Sequence, residues 1–160
     1  MKKYFIIGNP ISHSLSPTLH NHWFKKYKVD AEYKTLEIDK KNIESVIKRI
    51  RDKEISGINI TLPYKQEVIP FLDKLVNHAK ETNSVNTVYL NSENLVVGDN
   101  TDVFGLQAGY FKQAITENRA KQKALILGAG GVAPSVILAL NKSNIEDICL
   151  INRTYEKAIF

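Results

Sequence analysis

Ala124-Leu125-Ile126-Leu127-Gly128-Ala129-Gly130-Gly131-Val132-Ala133 decides the fold of this 160-residue chain. Four apolar residues in a row predict a strand fully buried in a parallel sheet, and a glycine-rich turn follows at once. Val136, Ile137 and Leu140 then recur at helical spacing, and Ile148-Cys149-Leu150-Ile151 is a second apolar run. Strand, turn, helix and strand make one βαβ unit. Gly128-x-Gly130-x-x-Ala133 has the spacing of a dinucleotide-binding turn. Its first glycine permits the tight turn, its second lets backbone approach a pyrophosphate, and its small third residue lets helix and strand pack closely. The backbone of Gly128, Ala129, Gly130, Gly131 and Val132 would then face phosphate at a helix start, where the dipole favours negative charge. An ordinary strand-to-helix turn uses the same glycines, so the flanking strands carry the inference.

The second strand runs into Ile151-Asn152-Arg153-Thr154. A unit that binds NAD usually places Asp or Glu about here, on the ribose 2′-hydroxyl. No acid is present. Arg153 stands where a 2′-phosphate needs a cation, and its fork can donate two parallel hydrogen bonds. Thr154 adds a hydroxyl and Lys157 a second charge, so NADP(H) is expected over NAD(H). A surface arginine at a strand end is the plainer alternative for Arg153 alone.

Towards the N-terminus, strand-like and helix-like segments continue to alternate, as in an α/β fold. Tyr4 to Ile7, Glu32 to Ile38 and Gly57 to Thr61 are predicted as strands, and Val85 to Leu90 with Leu95 to Val97 as a hairpin turning over Asn91 to Asn94. Ser16 is expected to cap a helix with Pro17 as its first residue, carrying Leu19, Trp23, Phe24 and Tyr27 at helical spacing. Ile43, Val46, Ile47 and Ile50 form an amphipathic stripe behind Asp39. Pro63 is expected to open a further helix, and another follows Asp102 with Val103, Leu106, Tyr110 and Phe111. Thr116 to Gln122 is the best linker. The expected organisation is an α/β domain over residues 1–102, a connecting helix and linker over 103–121, and a partial Rossmann-like unit over 122–160.

Composition narrows the function classes. At 43% hydrophobic, the chain is too apolar to be disordered, and no apolar run nears the roughly 18 residues of a membrane helix. Four apolar residues before Gly8-Asn9-Pro10 are too few for a secretion signal, so a cytoplasmic location is expected. One cysteine, Cys149, excludes an internal disulfide and any multi-cysteine metal site, and the histidines lack metal-ligand spacing. No metal is expected. The net charge of +5 is concentrated in residues 1–80, with 15 basic against 9 acidic side chains. No nucleic-acid-binding pattern accompanies it, which leaves a small anion as the expected partner.

Four clusters at predicted strand ends and helix starts could hold that anion. Ser14 and Ser16 flank a helix start in Gly8-Asn9-Pro10-Ile11-Ser12-His13-Ser14-Leu15-Ser16-Pro17, although Ser16 could be a cap alone. Asn59 and Thr61 share one face of their strand, and Lys65 falls in the expected first helical turn. The dipole there opposes its charge by about 0.3–1 kcal/mol, which would lower its pKa as acid–base work requires. A solvated surface lysine is the common alternative. Asn83-Ser84-Val85-Asn86-Thr87 and Gly98-Asp99-Asn100-Thr101-Asp102 complete the set, and Asp102 could be simply a helix cap.

Together these clusters closely resemble the shikimate dehydrogenase family. Gly-Asn-Pro-Ile-x-His-Ser-x-Ser-Pro, Asn-Ile-Thr-x-Pro-Tyr-Lys, Asn-x-Val-Asn-Thr, Gly-x-Asn-Thr-Asp and Gly-Ala-Gly-Gly occur in the family's order, between residue 4 and about residue 157. The resemblance implies reversible, NADPH-dependent reduction of 3-dehydroshikimate to shikimate, in aromatic amino-acid biosynthesis. It implies that Ser14 and Ser16 bind the substrate carboxylate, and that Asn59, Thr61, Asn86 and Asp102 bond its hydroxyls. Lys65 and Asp102 would form the catalytic pair. Gly128 to Val132 would hold the pyrophosphate, and Asn152, Arg153, Thr154 and Lys157 the 2′-phosphate end. Pro134 after the glycine turn and Lys157 in place of a frequent arginine depart from the family pattern. Family members continue past residue 160, and one βαβ unit leaves an open sheet edge, so a fragment of a longer product is expected. Quinate oxidation, and a ligand-binding module without redox chemistry, are the alternative functions. Monomer and homodimer both remain open.

Overall fold

The computed structural model describes residues 1–112 and 122–159, apart from the Lys157 side chain. Most of the linker predicted over Thr116 to Gln122 lies outside the described residues. Two compact units emerge: residues 1–76 with 85–99, and residues 77–84 with the part from Asn100 onward.

The first unit is built on a six-stranded mixed sheet. Strands β1 (Lys2–Gly8), β2 (Ala31–Glu37), β3 (Gly57–Ile60), β4 (Lys74–Leu75), β5 (Thr87–Leu90) and β6 (Val96–Asp99) lie in the order β2-β1-β3-β5-β6-β4. β1 runs parallel to both of its neighbours, with Ile6 opposite Thr35 and Asn59. β5 is antiparallel to β3 and β6. The expected hairpin forms, and Asn91 shapes its turn by accepting the Glu93 and Leu95 amides on its side-chain oxygen. Helix α1 (Ser16–Lys26) packs on β1 and β2, and helix α2 (Ile43–Arg51) on β5 and β6. All four residues of the α2 stripe are buried, each contributing about 1.5–3 kcal/mol of transfer free energy.

Helix α1 departs from expectation in two respects. Leu15 is the residue before its first turn, and Ser16 is already helical and caps nothing with its side chain. The Ser14 hydroxyl instead accepts the Ser16 amide at 3.3 Å. The helix also meets the sheet through different residues: Phe24 lies against Tyr4, and His20 stacks on Tyr33. Asn21 clamps Tyr33 by donating to its carbonyl at 2.8 Å and accepting its amide at 2.9 Å. Leu19, Trp23 and Tyr27 are turned to the exterior.

Pro63 opens no helix. Residues 62–68 run as successive turns ending in a 3-10 turn at Ile69–Phe71. The anchors there are specific rather than periodic: Tyr64 is buried and donates its hydroxyl to the Ile38 carbonyl at 2.6 Å, and Val68 is wholly buried. Both pull the segment onto the sheet, and the helix-start field expected at Lys65 is therefore absent.

The second unit holds helix α3 (His78–Thr82), helix α4 (Asp102–Leu106) with a π-helical turn over Gln107–Phe111, strand β7 (Lys123–Leu127), helix α5 (Ala133–Asn141) and strand β8 (Asp147–Ile151). β7 and β8 pair in parallel, as a βαβ unit requires. Ala124, Ile126 and Ile148 pack on a core of Val103, Phe111, Ala139, Leu140 and Ile145. Neither strand is fully buried: burial alternates along both, leaving Leu125, Leu127 and Ile151 exposed. An apolar run is buried only where both sheet faces are covered, and among the described residues one face is. No helix among the described residues is long and apolar enough to cross a membrane.

Candidate active site

Within the first unit, side chains from three elements, β2, β3 and the start of β5, join in one hydrogen-bonded chain. Tyr33 donates to Asn59 Oδ1 on β3 at 2.8 Å. Asn59 Nδ2 donates to the Asn86 carbonyl at 3.2 Å and to Thr87 Oγ1 at 3.1 Å, and Thr87 donates to Asn86 Oδ1 at 2.9 Å. Two of the residues expected in the site, Asn59 and Asn86, are thus brought together. Ser14 and Ser16 are tied to each other, the Ser14 hydroxyl accepting the Ser16 amide.

Tyr33 and Thr87 were not singled out from the sequence, although Thr87 lies inside one of the four clusters. Tyr33 left one signal, its place in an alternating strand as the inward residue. It is 3% exposed, and burial pushes its phenol well above the ordinary value, so it stays protonated. Burial likewise lowers the His20 pKa, keeping the ring stacked on Tyr33 neutral. Tyr4, His20, Phe24, Tyr33, Asn59 and Thr87 help to line a cavity of about 370 Å³ beside the chain.

Thr61 and Lys65 follow the end of β3. The Thr61 amide bonds the Ile7 carbonyl at 3.0 Å. Its methyl crowds Gly8, where an added Cβ would lie 2.7 Å from Thr61 Cγ2 and 3.0 Å from the Leu62 carbonyl oxygen, so no larger residue fits there. Lys65 is buried, 9% exposed, which sets it apart from the solvated lysines of the helix faces. Its carbonyl accepts the Val85 amide at 2.8 Å, and one residue later the Asn86 carbonyl accepts the Ile60 amide at 2.8 Å. The strand ends carrying Asn59, Lys65 and Asn86 are therefore laced by backbone bonds.

Asp102 and the glycine turn belong to the second unit. Thr101 precedes the first turn of α4, so Asp102 is its first residue and not its cap. The Asp102 amide donates to Asn100 Oδ1 at 2.9 Å. Asn100 is 2% exposed, and its amide nitrogen reaches Thr82 Oγ1, the Ser84 carbonyl and Ser135 Oγ, at 3.1, 2.9 and 2.9 Å. Ser84, fully buried, donates to the Gly131 carbonyl at 3.0 Å. Asn100 and Ser84, to which the sequence assigned no role, thereby tie the turn before Asp102 to the glycine turn and the first turn of α5.

The glycine turn has the conformation its sequence requires. Gly128 has φ +101°, a region that side-chain-bearing residues rarely adopt, and its amide bonds the Ile151 carbonyl at 2.7 Å. A Cβ added at Gly128 or Gly130 would meet nothing within 4 Å, so the space over the turn is open. Asn152 is a tie: Oδ1 accepts the Ala129 amide at 3.1 Å and Nδ2 donates to the Thr154 carbonyl at 2.6 Å. Arg153 and Thr154 are exposed, and the Lys157 side chain is outside the described residues.

The family description "Shikimate dehydrogenase substrate binding domain" matches residues 6–88, just over half the chain, and "Shikimate / quinate 5-dehydrogenase" matches residues 111–159. The shikimate dehydrogenase (NADP(+)) of Pelagibacter ubique is 53% identical over 99% of the chain, which spans 59% of that relative's length. The solved shikimate dehydrogenase of Aquifex aeolicus superposes with a TM-score of 0.88 at 38% identity, covering 99% of this chain and 58% of that one. The Thermus thermophilus shikimate 5-dehydrogenase in complex with NADP(H) and shikimate does so with a TM-score of 0.87 at 30% identity, covering 99% and 59%. Motif order, fold and these likenesses agree: the chain belongs to the shikimate dehydrogenase family.

Proposed function

We propose that the protein catalyses the NADP-dependent, reversible reduction of 3-dehydroshikimate to shikimate. The observation that carries this is the bonded array of Tyr33, Asn59, Thr87 and Asn86 in a chain 53% identical to a named shikimate dehydrogenase (NADP(+)). Residues 1–102 supply substrate recognition. Ser14 and Ser16 hold the carboxylate, and Asn59, Thr61, Asn86 and Asp102 hold hydroxyls.

NADP(H) fits the residues of the second unit. The positive φ of Gly128 and the open space over Gly128 and Gly130 leave room for a pyrophosphate against Gly128, Ala129, Gly130, Gly131 and Val132. Arg153, Thr154 and Lys157 take the 2′-phosphate, while Asn152 shapes the turn they flank. When bound, the cofactor supplies hydride to the carbonyl carbon. Lys65 supplies what remains: its ammonium bonds the carbonyl oxygen, stabilises the developing alkoxide and delivers the proton. The Asp102 carboxylate accepts from the reacting hydroxyl and holds it in place.

NADP⁺ reduction by the full-length protein, with shikimate and quinate assayed side by side, tests this. Turnover with shikimate and little with quinate is expected. Preference for quinate would assign the protein to the other activity named in the family description, and binding of shikimate without turnover would leave a recognition module.

A further inference from the structure

The Asn86 carbonyl sets the direction of the entire chain from Tyr33 to Asn86. A backbone carbonyl only accepts, so the group facing it at 3.2 Å is the Asn59 nitrogen, and Asn59 Oδ1 is the atom facing Tyr33. Oδ1 carries no hydrogen, so the Tyr33 hydroxyl donates. On the other side, one hydrogen of Asn59 Nδ2 goes to the Asn86 carbonyl and the second to Thr87 Oγ1. Thr87 passes its own hydrogen on to Asn86 Oδ1. Every proton points from β2 towards β5, an arrangement in which each bond polarises the next.

We propose that Tyr33 is a positioning residue for substrate recognition: by donating to Asn59 Oδ1 it presents Asn59 to the ligand purely as an acceptor. Both hydrogens of the Asn59 amide are engaged by protein groups, so the side chain offers a ligand only a lone pair on Oδ1. A ligand hydroxyl satisfies that lone pair, whereas a carboxylate or carbonyl oxygen is repelled by it. The array thus discriminates the two ends of a polyhydroxylated acid. Tyr33 suits the task because it cannot turn away: its ring lies under His20 at 4.3 Å and 11°, and Asn21 clamps its backbone from both sides. Burial keeps the phenol protonated, so the donor persists across the working pH range.

The proposal rests on shikimate being the ligand. Tyr33→Phe retains ring and stacking and removes only the donor. In the full-length protein it should raise the shikimate KM about 5- to 30-fold, with kcat and the NADP⁺ KM held within about twofold. Combined with Asn59→Ala, Tyr33→Phe should add less than about twofold, because its effect passes through that amide. An unchanged shikimate KM, or an undiminished effect in the Asn59→Ala background, overturns the assignment. Should Tyr33→Phe fail to fold, Thr87→Val removes the second tether of Asn59 and must give the same shikimate-specific rise, and its absence overturns the assignment equally. Wild-type protein that neither binds nor turns over shikimate overturns this inference and the proposed function together. Wild-type turnover with insensitive variants overturns this inference alone.

Discussion

Ile6 and Ile7 on β1 are buried, whereas Leu125 and Leu127 on β7 are 61% and 76% exposed, although both pairs sit in short apolar runs on parallel strands. The difference lies in what surrounds the strands. β1 has a strand on each side in a six-stranded sheet carrying α1 and α2. β7 has one neighbour, and its described helices cover the face bearing Ala124 and Ile126. The groups proposed for the chemistry and for cofactor binding follow the same division. In the first unit Lys65, Tyr33 and Asn86 are buried and laced to neighbouring elements, while Arg153 and Thr154 at the end of β8 are exposed. Groups that act on a reacting atom need a dry, fixed setting, and groups that grip a phosphate can work from the surface.

That contrast is most sharply tested at Lys65. Lys65→Ala should lower turnover by about 10²–10⁴ with little change in the shikimate KM, measured by steady-state kinetics on the full-length protein. Near-wild-type turnover would remove the lysine from the chemistry and reduce its burial to a packing feature. The core offers the next largest effect. Ile50 is wholly buried on α2, and Ile50→Ala should cost about 2–5 kcal/mol in urea unfolding. A cost under 1 kcal/mol would mean that the first unit is packed more loosely than its sheet implies. At the cofactor end, Arg153→Ala should raise the NADP⁺ KM about 10- to 100-fold and leave kcat nearly unchanged, as expected for loss of charge-assisted bonds to a phosphate. A fall in kcat instead would place Arg153 nearer the chemistry than its exposure suggests.

These residues also show where the sequence was legible. The α2 stripe could be read because a period of 3.6 leaves its mark on four isoleucine and valine positions, and all four are buried. The glycine turn could be read because only glycine tolerates the φ found at Gly128. Pro63 misled, since a proline suits a helix start but the segment is held by the inward anchors Tyr64 and Val68, which have no periodic signature. The β7 run misled for a related reason: burial on both faces is a property of the layers around a strand and not of its own residues. Ser14, Ser16, Asn59 and Asn86 stood out as polar residues in clusters, whereas Tyr33 lay in none and Asn100 lay in one without a role of its own. Their roles depend on partners 26 and 35 residues away, Asn59 and Ser135, and no local pattern encodes such pairs.

The smallest expected effect discriminates best between the two sheets. Leu127→Ser in the 160-residue chain exchanges an exposed leucine for a polar residue and should change unfolding stability by no more than about 0.5 kcal/mol. The same change at a buried position would cost several times more, because a hydroxyl would enter a site without a partner and a cavity would remain. Stability should be compared at several protein concentrations. A loss of 2 kcal/mol or so that grows with concentration would show the Leu125–Leu127 face paired with a second copy. An equally large loss independent of concentration would show it covered within the chain. A near-zero change leaves the face open, and the division between a sheet covered on both sides and one covered on one side then holds in solution.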